Sequence, residues 1–169
     1  MALEFKDLII GYKNSRKSQQ IAGPFDLKIL EKKLTAVIGK NGAGKTTLIK
    51  TIGQQLKSLN GAVLLDGQSI EKIPNDQRAR LVSFVFTTTL SSENMSVYEL
   101  VALGRYPFLN WYSKPSKKDA ECIQEAIVFT ALEGLENTKI HALSDGQKQR
   151  AFIARALAQE TPYMILDEP

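Results

Sequence analysis

Gly39-Lys40-Asn41-Gly42-Ala43-Gly44-Lys45-Thr46 follows an apolar run, Leu34-Thr35-Ala36-Val37-Ile38, and precedes a stretch, Lys45 to Leu56, with helical spacing. Strand, glycine loop, helix is the context in which G-x-x-x-x-G-K-[ST] forms a phosphate-binding loop. Glycines let the backbone wrap closely and turn successive N–H groups inward, and the positive end of the following helix adds to the attraction for an anion. Lys45 is placed to reach β- and γ-phosphates, and the Thr46 hydroxyl to meet Mg²⁺. Together with the adjoining Thr47, residues 39–47 form the first candidate nucleotide site. A glycine-rich turn matching by accident is the plainer reading, but the flanking strand and helix argue against it.

Outward from this loop, the chain reads as mixed α/β. Leu3, Phe5, Leu8 and Ile10 mark an opening strand, and polar residues from Lys13 to Gln20 a turn. Phe25 to Leu30 alternates apolar and polar residues as a half-exposed antiparallel strand does. Further strands are expected at Gly61–Asp66 and Leu81–Phe86. From Asn94 the spacing becomes helical, with Val97, Leu100, Val101 and Leu103 on one face. Gly104-Arg105-Tyr106-Pro107 breaks it, and an aromatic loop runs from Phe108 to Pro115. Helices are expected at Asp119–Ala131 and Gln147–Gln159, and a buried strand at Tyr163–Asp167.

The whole chain sets limits. Its 169 residues are 43% hydrophobic, enough for a real core. No apolar run is long enough to span a bilayer, and no basic-then-apolar leader opens the chain, so no secretory signal is expected. A lone Cys122 fits a reducing compartment, and a single histidine, His141, excludes a multi-histidine metal site. The net charge of +4 is scattered, as on a solvated face, and nucleic acid is not an expected partner.

Met164-Ile165-Leu166-Asp167-Glu168 is an apolar strand ending in two carboxylates, at the end of a parallel strand where such sheets place ligands. Asp167 is assigned to Mg²⁺, and Glu168 to polarising the attacking water as a general base. Alone, a strand stopping at solvent would read the same way; beside the glycine loop the functional reading wins.

Leu143-Ser144-Asp145-Gly146-Gln147 opens a helix rich in small residues. Ser144 with Gln147 three positions on is a capping box, and its plain reading is an ordinary helix start. In combination with the loop and the acidic strand, in that order, it resembles the L-S-G-G-Q signature of ATP-binding cassettes, over the whole chain. The resemblance implies a P-loop NTPase (RecA-like) fold: a parallel core, an antiparallel β subdomain and an inserted helical subdomain, the C-terminal part missing. On that reading residues 1–86 are the β and P-loop core, 87–160 the helical subdomain with the signature, and 161–169 the acidic strand.

The resemblance further implies that ATP is enclosed between the loop of one copy and Ser144, Gly146 and Gln147 of a second copy. Tyr12 stands where the family places an aromatic on adenine, though local packing beside Gly11 is the alternative. Asn94 to Pro107 is similar to ATPase subunits that import iron-siderophore, haem or cobalamin complexes. The implied setting is the cytoplasmic face of the cell membrane, with an integral permease and, indirectly, a solute-binding protein. A soluble cassette acting in translation or DNA repair is the alternative. A kinase or GTPase is disfavoured because N-K-x-D is absent. Three departures stand out: Thr87-Thr88-Thr89 where the family has a glutamine, Asp145 inside the signature, and an ending at Pro169 where the family continues to a switch histidine. A truncated cassette that binds MgATP and turns it over slowly or not at all is therefore expected.

Overall fold

The computed structural model describes residues 2–14, 17–86, 94–109 and 115–167. They divide into two compact units, 1–78 and 79–169. The first is built on β1 (Ala2–Asn14) and β2 (Lys17–Leu30), a long antiparallel pair. Its ladder continues to Asn14 opposite Lys17, so most of the turn expected over Lys13–Gln20 is strand. With β3 (Asn60–Leu65) and β4 (Gln68–Ser69) these strands form an antiparallel sheet in the order β2-β1-β3-β4.

An irregularity in β1 explains its sequence. Leu3, Phe5, Leu8 and Ile10 are all buried, yet a strand with strict alternation would turn the even-numbered pair to the opposite face. The register shifts between Phe5 and Leu8, where Asp7 has φ 45° and its N–H donates to Asp26 Oδ1 at 3.0 Å. The bulge inserts one residue and returns Leu8 and Ile10 to the core side. The unit is completed by α1 (Lys45–Ile52), a 3₁₀ turn at Ile70–Lys72 and α2 (Asn75–Arg78). Helix α1 ends at Ile52, four residues short of the expected Leu56.

The strand expected at 34–38 is not formed. This run lies outside every strand, and Leu34 and Ile38 are almost wholly exposed. A parallel strand of this kind draws its stability from ladders on both sides and cover on both faces. Among the described residues it has no ladder, and its apolar character alone does not make it a strand.

The second unit contains β5 (Val82–Val85) and β6 (Tyr163–Leu166), paired in parallel, with α3 (Val97–Ala102), α4 (Lys117–Phe129) and α5 (Asp145–Ala158). Val97, Leu100 and Val101 pack with Ile123, Ala126 and Ile127 and with Ala151, Ala154 and Ala158 of α5. All three sets follow i, i+3, i+4 or i+7 spacing, the stripe of a core-facing helix. Each helix begins with a capping box, Ser96/Glu99, Ser116/Asp119 and Ser144/Gln147, which satisfies two otherwise orphaned amides.

A buried ion pair, Arg105 with Asp119, adjoins this apolar assembly. Arg105, in a 3₁₀ segment at Leu103–Phe108, is only 3% exposed. Its Nε donates to Asp119 Oδ1 at 2.9 Å, and its Nη1 to Ala158 O at 2.7 Å and Glu160 Oε2 at 2.8 Å. Hydrogen bonds from Ser116, then the Arg105 guanidinium, hold the Asp119 carboxyl below its ordinary value. A carboxylate with a depressed pKa stabilises the fold above the ordinary carboxylate range and loses that contribution as pH falls through its folded value. Asp119→Ala, which removes the buried one of the two carboxylates paired with this cation, should cost about 3 kcal/mol in urea unfolding at neutral pH. Asp119→Asn should in addition flatten the acid limb of the stability–pH curve; an unchanged acid limb would contradict the assignment.

Candidate functional site

The glycine loop closes on itself before α1. Ala43 N–H donates to Lys40 O at 3.1 Å, and both Gly42 and Gly44 have positive φ, 80° and 97°. Gly44 is the N-cap of α1 and offers no side-chain cap. The first amides of an α-helix have no intrahelical partner, so a helix without a capping side chain presents donors and the positive end of its dipole to whatever lies in front. Residues 39–43 in front of it are exposed. Gly44 is required twice over: its φ is left-handed, and an added Cβ would lie 2.9 Å from Ile21 Cγ2.

Lys45 folds back across the loop, its ammonium donating to Gly39 O at 2.9 Å and Lys40 O at 3.2 Å. Its charge is thereby held over the ring of amides. Thr46 is exposed on the first turn of α1, while Thr47 is buried beneath it. Tyr12, on β1, brings its hydroxyl to 3.3 Å from Thr47 Oγ1. Tyr12 is 44% exposed and so remains accessible beside the loop. The structure thus joins Tyr12 to residues 39–47, a link that sequence separation conceals.

The second group lies in the other unit. Ser144 caps α5: its Oγ accepts from Gln147 N–H at 3.3 Å, and Gln147 Oε1 accepts from Ser144 N–H at 2.9 Å. Both bonds use acceptor atoms, which leaves the serine O–H and the glutamine amide N–H groups as donors for an anion. Gly146, exposed between them, has open space where a Cβ would stand. Asp145 does not obstruct this turn. Its side chain is fully exposed and pairs with Lys148 Nζ at 3.6 Å, so a cation stands beside its charge. Asp167 follows β6 and is buried, its N–H bonded to Val85 O at 2.9 Å. Glu168 and Thr87 lie outside the described residues, as do Trp111 and Tyr112 of the aromatic loop. Phe108, at the start of that loop, lies under Arg105, 4.3 Å from ring centroid to guanidinium, and Tyr106 just before it is exposed.

The model of the ABC transporter family matches residues 23–169, most of the chain. The chain belongs to the ABC transporter family. It is 38% identical over 168 residues to the petrobactin import ATP-binding protein FpuD of Bacillus anthracis, which covers 99% of this chain and 60% of that protein. It is 35% identical over 167 residues to the ferric enterobactin transport ATP-binding protein FepC of Escherichia coli, with the same two shares covered. The chain therefore spans about 60% of the length of these curated relatives. Among solved structures, a dimeric bacterial ABC transporter cassette superposes with a TM-score of 0.84 at 26% identity, over 100% of this chain and 74% of that one. The fold is that of an ABC cassette, a P-loop NTPase.

Sequence reading missed Arg105 and its partners Asp119 and Glu160. The only local signal was Ser116-x-x-Asp119, a capping pattern that says nothing of a guanidinium fourteen positions earlier. For the loop, Gly44→Ala should lower the melting temperature and weaken nucleotide binding at least tenfold, because the strain moves the first turn of α1. A fluorescent ATP analogue titration checks it.

Proposed function

We propose that this chain is the ATP-binding part of a transport ATPase that serves an importer of iron-siderophore type. The observation that carries the reading is the uncapped start of α1, with Lys45 held over the loop and Tyr12 beside it. The phosphates of ATP are the anion this arrangement suits, and the exposed phenol ring suits adenine. The import class is supported by the relatives, which are named for petrobactin import and ferric enterobactin transport. Those names do not favour the alternative of a soluble cassette in translation or repair.

In this proposal Lys45 exchanges its two carbonyl acceptors for phosphate oxygens, which are stronger partners for an ammonium. Residues 39–47 position the nucleotide, and Ser144, Gly146 and Gln147 donate to the γ-phosphate of ATP held by a second copy. Glu168 takes the role of general base toward water. Among the described residues no group of three or more His, Cys, Asp or Glu could hold a metal unaided. Thr46 and Asp167 supply only oxygen, the donor chemistry of Mg²⁺, which keeps waters and phosphate oxygens as its other ligands. That ion would offset negative charge on the phosphates.

No helix among the described residues is long and apolar enough to cross a membrane. Attachment to an integral permease at the cytoplasmic face of the cell membrane, with a solute-binding protein beyond it, completes the proposal.

Lys45→Ala should weaken binding of a fluorescent ATP analogue by roughly a hundredfold, the loss of charge-assisted bonds to phosphate. Unaltered affinity would sink the reading. Ser144→Ala should leave that affinity unchanged and weaken ATP-dependent self-association in sedimentation experiments.

A further inference from the structure

We infer that Arg105 is a positioning residue for the signature turn, setting where α5 carries Ser144 and Gln147; this rests on the reading of that turn as the phosphate-contacting one. The inference begins with α5 itself. Its core-facing positions Ala151, Ala154 and Ala158 are buried to within 1% exposure, while the larger Phe152 and Leu157 are only partly buried against the cluster. An alanine stripe lets helices approach closely but inserts no long side chain into a neighbour's grooves, so it resists sliding along the helix axis weakly.

The lock lies at the other end. Arg105 Nη1 donates to the carbonyl of Ala158, the last residue of α5, where helix carbonyls lack intrahelical partners and a cation is favoured. The same guanidinium is tied to Asp119 in the first turn of α4 and to Glu160 just past α5. Gly104, one residue earlier, brings the 3₁₀ segment against α5 backbone to backbone: a Cβ there would stand 2.2 Å from Arg155 O. Arg105 therefore pins the end of α5 to α4 through three acceptors in different directions, which a planar guanidinium reaches together and an ammonium does not. A helix is stiff and rises about 1.5 Å per residue, so an end shifted by a fraction of a turn carries Ser144 with it.

The test separates this role from simple stabilisation. Three quantities are measured on the chain: affinity for a fluorescent ATP analogue at protein concentrations where it is monomeric, melting temperature, and the ATP-dependent self-association constant. Arg105→Lys keeps the charge. It should leave nucleotide affinity unchanged, since residues 39–47 belong to the other unit, and weaken self-association by roughly tenfold, the order of loss expected when one hydrogen bond to a charged group is weakened. A lower melting temperature with self-association unchanged would overturn the inference. Should Arg105→Lys fail to fold, Glu160→Ala removes one arm whose side chain is 49% exposed; a smaller loss of self-association supports the inference, and none overturns it. Ser144→Ala is run in parallel. If it weakens self-association and the Arg105 and Glu160 variants do not, the positioning role alone fails. If Ser144→Ala has no effect, the reading of the signature turn fails and this inference with it.

Discussion

A helix that begins without a capping side chain leaves its first amides wanting an acceptor, and the first unit is organised around such a beginning. Gly44 cannot supply a cap, and its left-handed φ is what allows the loop to close over residues 39–43 before α1 starts. The antiparallel pair β1–β2 serves this turn from below. Ile21 presses against Gly44 closely enough to exclude a Cβ, and Ile10 stands in van der Waals contact beside it, so the loop's conformation is set by packing as well as by its own glycines. The bulge at Asp7 is part of the same arrangement, because without it Ile10 would face away from the core. Tyr12, two residues beyond Ile10, is then delivered to the side of α1, where its hydroxyl meets Thr47.

The second unit solves a different problem. Its helices carry a continuous apolar core, and the capping boxes at all three N-termini set where each helix begins. Against that background a buried guanidinium is costly to desolvate and is retained only with full satisfaction of its donors. Burial pulls the Arg105 pKa down, but the bonds to Asp119 and Glu160 outweigh it and the net shift is upward. Glu160 is held in turn: the Cys122 thiol donates to it at 3.2 Å, and that bond, with the guanidinium, keeps its carboxyl below the ordinary value. The result is a connection among the 3₁₀ segment, α4 and the end of α5 made from polar atoms in an otherwise apolar setting.

Two departures, one from the family pattern and one from sequence expectation, have different causes. Asp145 is harmless for a local reason, since a fully exposed side chain beside Lys148 leaves the turn's donors unobstructed. The run at 34–38 is a departure of the structure from its own sequence pattern. Branched apolar residues raise strand propensity, but propensity in sheets is mostly a statement about neighbours to pack and bond with.

Sequence alone determined the features whose cause is local. The glycine spacing of residues 39–46, the start of α1 at Lys45, the Ser144/Gln147 box and the Val97, Leu100 and Val101 stripe of α3 follow from rules acting over one to eight residues, and they reappear in the structure. So does the family, because those motifs occur in a fixed order. Leu103, expected on the same stripe as Val97, instead begins a 3₁₀ segment and is exposed. Tertiary structure decided what depends on distant partners. It extended the β1–β2 ladder through polar residues that read as a turn, and withheld a strand from 34–38. It placed Tyr12 against Thr47 and buried Arg105 among Asp119, Ala158 and Glu160. The contacts of Tyr12 and Arg105 are settled by hydrogen-bond partners far along the chain, and no local pattern encodes which partner arrives.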